Sequence, residues 1–309
     1  MNNTQFYKRS TPAIPFYYRP TKFLVHLTLL GLKQVACEDP IYTYSGTKDD
    51  FNSRFDKFFA NVLSCRRHKF FPVLRVSDGE YIILFGRRPY ISPQRPIYSF
   101  LEIVSVFRHY LSDVYHPRTA NIYSSGKFSR HDLKCLKAAC LRSLNSMLRQ
   151  DYYVAFHTDI AGKPFLEQYL RPVDSLLNSA GPSRERMIPF YFVYALLSPF
   201  YLQQLIRGQR LLIVTGMNEE KRRSAKQYLI GYGCISVDFH VISSTLSHRE
   251  EHDFTYTKNR FDVIFIGAGA GKFPLIESLR PSCAPCIDAG YMLEVFADRS
   301  LAGKRPFTC

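Results

Sequence analysis

Apolar strands alternate with helices in the last hundred residues of the sequence, and few folds accommodate this pattern. The predicted strands are apolar along their whole length, which is typical of parallel strands covered by helices on both faces. The sequence therefore predicts an α/β, Rossmann-like fold with a mostly parallel sheet and helices on both faces. Strands are predicted at 71–76, 152–156, 210–215, 234–242, 261–266 and 286–288, and helices at 49–65, 100–110, 131–149, 189–206 (interrupted at Pro199), 218–230 and 273–279.

The domain organisation follows from a change in composition near the start of the chain. Residues 1–45 form a basic, aromatic, proline-containing extension, and residues 46–309 form the predicted α/β domain. No run of about 20 apolar residues occurs in the sequence, so a membrane span is not expected. The best candidate, residues 23–32, is half that length, and no leader pattern surrounds it. We therefore expect a cytoplasmic protein.

The charge balance favours anionic partners. The 41 Lys and Arg residues outnumber the 26 Asp and Glu residues and give a net charge of +15. Such a surface suits nucleic acid, phosphorylated small molecules or an acidic membrane face. The sequence contains no RNP motif, zinc-finger spacing or helix-turn-helix pattern, which disfavours nucleic acid. Much of the surplus lies in residues 8–34 and 87–95, which favours an anionic acceptor or the inner membrane face as a peripheral contact.

The first candidate site follows the strand at 71–76, where the sequence reads Arg75-Val76-Ser77-Asp78-Gly79-Glu80. Two carboxylates separated by a glycine can point at one divalent cation such as Mg²⁺ or Mn²⁺ bridging to a diphosphate. Arg75 can bind a phosphate oxygen or hold a carboxylate in place. Ser77 and Glu80 also match a capping box that starts a helix, and the spacing alone does not decide between these interpretations.

The second and third candidate sites follow two later strands. Residues 267–272 read GAGAGK, a glycine-rich loop before a helix, which is either an anion-binding loop or a tight turn. It matches neither the P-loop nor the Rossmann fingerprint, since Phe273 follows Lys272 and Lys272 replaces the last glycine. Asp288 ends the last predicted strand beside a glycine, where it can serve as a base, a ribose contact or a turn former.

Two motifs suggest metal chemistry of another kind. Residues 248–252 read HREEH, the inverted zincin pattern, but no apolar periodicity supports a helix there, so a solvated loop between strands is favoured. Cys283 and Cys286 form the one C-x-x-C pair, and no second pair completes a zinc ribbon. Two small apolar residues flanking Pro285 at the start of a buried strand explain this pair equally simply.

Taken in order, the three strand ends resemble a known family. Residues 74–80 (LRVSDGE) are similar to the R-x-G-D-G-E signature of the GT-D-type glycosyltransferases, a bacterial family formerly described as a domain of unknown function. The segments LLIVTG, FDVIFIGAGAGK and CIDAGYMLEV resemble that family's C-terminal half. The resemblance covers residues 50–297, and the chain departs from the signature at Ser77, where the family usually has glycine.

The resemblance implies a Rossmann-like enzyme that uses a UDP-sugar. It implies Asp78 and Glu80 as contacts of a divalent metal (Mn²⁺ or Mg²⁺) and the nucleotide diphosphate, and Arg75 as their support. It further implies that the donor lies near Gly267, Gly269, Gly271 and Lys272, and that Asp288 contacts the sugar or takes part in catalysis, where we assign it as the base.

The sequence therefore predicts a metal-dependent glycosyltransferase that moves a hexose from a UDP-sugar to a hydroxyl of a glycan or glycoprotein acceptor. The alternative is a non-catalytic, basic, Rossmann-like module that binds a nucleotide or nucleic acid.

Overall fold

The structure is a computed structural model that describes residues 48–66, 69–86, 128–150, 152–156, 186–244 and 247–302, with a few further positions between 97 and 176. The predicted extension at 1–45 and the basic segment at 87–95 lie outside the described residues. The boundary between extension and domain therefore stays a prediction.

A parallel sheet forms the centre of the described structure, as the sequence predicts. Within the described residues it has seven strands in the order β5–β4–β1–β9–β8–β6–β7, and every neighbouring pair is parallel. A separate antiparallel pair joins β2 (Val114–Tyr115) and β3 (Phe128–Ser129). The strands of the main sheet are β1 (Phe71–Val76), β4 (Tyr153–Phe156), β5 (Met187–Pro189), β6 (Arg210–Thr215), β7 (Ser236–Val241), β8 (Val263–Gly267) and β9 (Pro285–Asp288).

Helices connect these strands and cover the sheet. They are α1 (Lys48–Ser64), α2 (Asp78–Phe85), α3 (Arg130–Arg149), α4 (Tyr191–Leu196), α5 (Pro199–Ile206), α6 (Glu219–Gly231), α7 (Lys272–Ser278) and α8 (Met292–Ala297). Pro199 begins α5, where its missing N–H costs nothing, so the predicted interruption is confirmed. No helix among the described residues is long and apolar enough to cross a membrane.

Several elements differ from the prediction, including the short strands β2 and β3, which the sequence did not predict. Residues 187–189 form a short edge strand, whereas the predicted helix begins at 189. The edge position tolerates Pro189 because a proline there removes no ladder hydrogen bond from the sheet interior. Helix α8 follows β9 and was not predicted, because its six residues are too few to show a helical period.

The last strand among the described residues, β9, occupies the middle of the sheet. Phe71 of β1 pairs with Pro285 of β9, and Ile264 of β8 pairs with Cys286 of β9. Strand β9 thus joins the N-terminal strands to the C-terminal strands. Because the strands are parallel, the carboxyl ends of β1, β8 and β9 lie side by side at one edge, which we call the carboxyl edge.

An aromatic cluster holds α1 against the N-terminal half of the sheet. The ring of Phe58 is fully buried, meets Tyr153 of β4 edge-on at 5.0 Å and lies 5.8 Å from Phe192 of α4. Phe55 makes a further edge contact with Phe192 at 5.3 Å. Edge-to-face pairs of this kind add to the free energy of burial, so α1 is fixed by aromatic packing.

The Phe58→Ala variant should lower the free energy of unfolding by about 3–5 kcal/mol, because it removes a buried ring and leaves a cavity. Urea unfolding followed by circular dichroism measures this change. The matched control is Phe200→Ala, since Phe200 is 46% exposed and its loss should change stability by only about 0.5 kcal/mol. Equal losses for the two variants would contradict this account of α1.

Candidate functional site at the carboxyl edge

Four charged side chains from distant parts of the sequence meet at the carboxyl edge. Arg75 ends β1, Glu80 lies in the first turn of α2, Lys272 begins α7 and Asp288 ends β9. Their exposed fractions are 7%, 2%, 4% and 2%, so all four are buried. Two positive and two negative charges cancel, which is the condition under which burial of ions is tolerated. We call these residues the four-charge network.

Lys272 is the centre of the four-charge network. Its Nζ donates to the backbone oxygen of Arg75 at 2.6 Å and to Asp288 Oδ2 at 2.8 Å, and it forms an ion pair with Glu80 Oε1 at 2.8 Å. An ammonium group has three N–H donors, so these three acceptors use its full capacity. Burial lowers the pKa of Lys272, but the carboxylates of Asp288 and Glu80 outweigh burial and raise it.

Arg75 binds Asp288 with both its side chain and its backbone. The Nη2 of Arg75 lies 3.1 Å from Oδ1 of Asp288, and its backbone N–H donates to Oδ2 at 3.2 Å. The guanidinium also lies 5.2 Å from the ring centres of both Phe190 and Tyr194, which is cation–π distance. Its Nε is buried and has no hydrogen-bond partner among the described residues.

Gly290 makes room for this guanidinium. A Cβ at this position would lie 1.8 Å from Nη2 of Arg75, and the backbone has a φ of +47°. Both constraints demand glycine. Packing therefore explains the Asp-x-Gly pattern formed by Asp288 and Gly290. The aspartate binds Arg75, and the glycine leaves space for the guanidinium.

Glu80 caps the helix in which it lies. Its Oε2 accepts hydrogen bonds from the backbone N–H of Ser77 at 2.9 Å and from the Ser77 hydroxyl at 3.2 Å. The sequence alone did not decide between a capping box and a metal-binding pair, and the structure forms the capping box. The serine at the position where the family usually has glycine contributes a hydroxyl to this cap.

The surroundings of Glu80 do not fit a metal ligand. One of its oxygens is used by the cap, and the ammonium of Lys272 holds the other, where a cation would have to bind. The described residues contain no group of three metal-binding side chains. The side chain of Asp78 lies outside the described residues. Metal binding by Asp78 and Glu80 stays a prediction. The contacts of Glu80 argue against Glu80 as one of the metal ligands.

Asp288 is poorly placed to act as a base. Burial raises its pKa, but the guanidinium of Arg75 and the ammonium of Lys272 outweigh burial and hold the pKa below its ordinary value. A carboxylate with a lowered pKa takes up a proton weakly, and both oxygens already accept hydrogen bonds. The assignment of Asp288 as the base stays a prediction that its surroundings do not support.

The glycine-rich loop is a tight turn that positions Lys272. The backbone N–H of Gly271 donates to the oxygen of Ala268 at 2.9 Å. A Cβ on Gly271 would lie 2.3 Å from Oγ of Ser247, and one on Gly267 would lie 2.5 Å from Cδ1 of Leu293. Close packing therefore explains two glycines of the loop. Gly269, with a φ of +52°, is the exposed one, and contact of the loop with a substrate stays a prediction.

The connection between β7 and β8, which contains the HREEH motif, makes contacts that the sequence did not predict. Arg249 forms two hydrogen bonds with Asp132 in the first turn of α3, at 2.8 Å and 2.6 Å. The hydroxyl of Ser247 donates to the backbone oxygen of Ala268 at 3.1 Å. This connection therefore packs against both α3 and the glycine-rich loop. No spacing rule links Asp132 to Arg249, because 117 positions separate them.

The HREEH motif does not form a zinc site in this structure. It lies in a loop, as expected, and its two histidines have different partners: His248 lies 3.8 Å from Asp132, whereas Nδ1 of His252 lies 3.0 Å from Nε2 of His240. The expectation of a solvated connection is wrong for His248, whose side chain is only 6% exposed. His240 also contacts the Tyr256 hydroxyl at 2.9 Å, and Glu250 lies 3.2 Å from Nε2 of His252.

The C-x-x-C pair is structural. Cys283 and Cys286 are free thiols, and Cys286 lies fully buried in β9. Burial raises the pKa of the Cys286 thiol to about 12. The burial of Cys286 in β9 supports its interpretation as a small apolar residue at the start of a strand.

Two solved structures are similar to this chain. A selenomethionine-substituted structure of domain of unknown function 1792 is 15% identical, covers 80% of this chain and 87% of its own, and has a TM-score of 0.46. A second structure, described as that domain having a distinct glycosyltransferase fold, is 16% identical with the same coverage and a TM-score of 0.45. No family model and no curated protein matches the chain.

The Lys272→Met variant should lower the free energy of unfolding by about 3–5 kcal/mol, because it removes the ammonium that pairs with buried Glu80 and one of the two cations that pair with buried Asp288. Adding Asp288→Asn to it should cost less than the sum of the two single losses, with a coupling of about 0.5–3 kcal/mol. Urea unfolding of the two single variants and the double variant measures both quantities. Lys221→Met is the control, since Lys221 pairs with Glu294 at the surface and should cost about 1 kcal/mol or less. Additive losses would show that the four-charge network is not coupled.

Acidification from pH 7 to pH 5 should destabilise the protein in part through His240. Burial and the neighbouring His252 lower the pKa of His240 below its ordinary value, and Glu250 only partly opposes them. The unfolded chain therefore binds more protons, so stability falls as pH drops below about 6.5. Unfolding free energies of the His240→Gln variant should show a shallower pH slope than those of the wild type, whereas His131→Gln, at an exposed position, should keep the full slope. An unchanged slope in His240→Gln would contradict this prediction.

Proposed function

We propose that this protein is a glycosyltransferase that moves a hexose from a UDP-sugar to a hydroxyl of a glycan or glycoprotein acceptor. The proposal rests on one observation: the sequence segments that resemble the GT-D-type glycosyltransferases meet at the carboxyl edge. Arg75 and Asp288 are 213 positions apart in the sequence, yet their side chains are hydrogen-bonded to each other. Lys272 connects both residues to Glu80. Ligands of open α/β sheets bind beyond the carboxyl ends of the strands, which is where these segments meet.

Arg75 is the residue to which we assign binding of the donor's diphosphate. Burial lowers its pKa, but Asp288 outweighs burial and raises it, so the guanidinium stays charged. Its Nε, to which no described residue is hydrogen-bonded, is the donor that we assign to an oxygen of the diphosphate. The N-terminus of α2 follows Ser77 directly and adds the partial positive charge that helix N-termini present to anions. Charge that develops on the leaving diphosphate would be stabilised by groups already in place.

The other three members of the four-charge network are positioning residues in this proposal. Lys272 and Asp288 hold the guanidinium and backbone of Arg75, and Glu80 ties the start of α2 to the same ammonium. Because each is buried and bonded, none has to move when a donor binds. No step of the proposal runs through the predicted Mn²⁺ or Mg²⁺, since Glu80 does not fit as its ligand.

Addition of UDP should raise the melting temperature, because a ligand at a hundredfold excess over its dissociation constant stabilises the folded state by about 2.7 kcal/mol. The Arg75→Gln variant should lose this ligand-induced shift even where its own melting temperature is lower. Arg260→Gln, whose Arg260 pairs with Asp238 at the surface, should keep the shift. Differential scanning fluorimetry measures all three proteins, and release of UDP from a panel of UDP-hexoses measures turnover.

Each outcome of this experiment has a distinct meaning. A UDP shift that requires Mn²⁺ and is lost in Asp78→Ala but kept in Glu277→Ala would support the predicted metal, since Glu277 pairs with Arg280 at the surface. A shift of the same size in the presence of EDTA would support binding of UDP by Arg75 without a metal ion. Binding of UDP with no UDP release from any UDP-hexose would favour a non-catalytic nucleotide-binding module. No UDP shift under any condition would refute the proposed function.

A further inference from the structure

A group of exposed apolar side chains lies on a helical part of the chain between β1 and β3. The described positions 97, 100, 101, 103, 104 and 107 are all helical, which agrees with the helix predicted at 100–110. The exposed fractions of Ile97, Phe100 and Phe107 are 74%, 65% and 65%. We call the following set the exposed apolar face: Ile97, Phe100, Leu101, Ile103, Val104 and Phe107.

Helix geometry puts these side chains on one side. Consecutive residues of an α-helix are about 100° apart, so positions 97, 100, 101 and 104 cluster, and 103 and 107 extend the same arc to about 160°. None of the six belongs to the hydrophobic core of the described structure. A contiguous apolar patch rather than scattered apolar residues marks an interaction site, because exposure of such a patch to water is unfavourable.

The sequence around the exposed apolar face is basic. Residues 87–108 contain Arg87, Arg88, Arg95 and Arg108, against a single acidic residue, Glu102. Large apolar side chains on one face of a helix, within a basic segment of the sequence, are typical of helices that lie in the interface of an anionic membrane. We propose that the exposed apolar face docks onto an anionic lipid surface.

Charge favours lipid over the other apolar partners available to this face. The N-terminal residues 1–47 contain five lysines and arginines against Glu38 and Asp39, so they would bring positive charge towards a positive segment. A second copy of the chain would do the same through its own 87–108 segment. An anionic bilayer supplies both an apolar layer and opposite charge, at about 1 kcal/mol for each basic residue near the surface. This inference does not depend on the proposed function, because binding to lipid needs no donor.

The absence of tryptophan from the chain provides a direct test. The full-length Phe100→Trp variant carries the only tryptophan, since the natural sequence has none. Vesicles containing phosphatidylglycerol should shift its emission to the blue, brominated acyl chains should quench it, and high salt should weaken both effects. Phe200→Trp is the matched control, because Phe200 is 46% exposed in α5, outside the exposed apolar face, and its emission should not respond to vesicles.

Co-sedimentation with the same vesicles gives an independent measurement. The double variant Phe100→Ser/Phe107→Ser should weaken binding at least about tenfold, since it removes the burial of two aromatic rings, whereas Phe200→Ser should bind like the wild type. Both substitutions lie at exposed positions, so circular dichroism should show folded proteins.

Four outcomes would overturn the proposal. The first is no response of Phe100→Trp to anionic vesicles, and the second is an equal response to vesicles of phosphatidylcholine alone. The third is a blue shift that grows with protein concentration without lipid, which would identify a second copy as the partner. The fourth is blue emission at every concentration before lipid is added, which would identify another segment of the chain as the cover.

Discussion

The ammonium of Lys272 is the interaction on which the carboxyl edge depends. It bonds to β1 through the backbone oxygen of Arg75, to β9 through Asp288 and to α2 through Glu80, while its own helix α7 follows β8. Transfer of each of these ions from water to the protein interior costs several kcal/mol, and the cost is offset only when opposite charges and hydrogen bonds are matched. Here three donors meet three acceptors, so the ammonium links the two halves of the sheet at the carboxyl edge, in addition to the pairing of β9 with β1 and β8.

Several local features follow from the need to place that ammonium and its partners. The glycine-rich loop turns tightly enough for α7 to begin at Lys272, and Ser247 packs where a side chain on Gly271 would otherwise lie. Gly290 leaves space for the guanidinium of Arg75, whose aromatic neighbours cover it. Gly271 and Gly290 are thus explained by the packing around one buried group of charges.

The sequence predicted the elements better than their contacts. The core strands are continuously apolar, so 71–76 and 210–215 were predicted with their observed bounds. Strand β5 was missed because three residues carry no periodicity. The place of β9 between β1 and β8 could not be read from the sequence, since strand order depends on long-range packing. For the same reason the partners of Lys272 were not predicted: Arg75 is 197 positions away, and a motif at one strand end does not show what faces it.

Charge has separate roles in the two proposals. The net charge of +15 favours an anionic ligand, yet the four-charge network is neutral and buried, so it adds nothing to long-range attraction. Only the part of Arg75 that the network leaves unused can contact a diphosphate, and such a contact depends on geometry more than on net charge. The segment that carries the exposed apolar face is not balanced in this way, because residues 87–108 contain four arginines and one acidic residue. The surplus charge is therefore better suited to bring the protein to an anionic surface than to perform chemistry at the carboxyl edge.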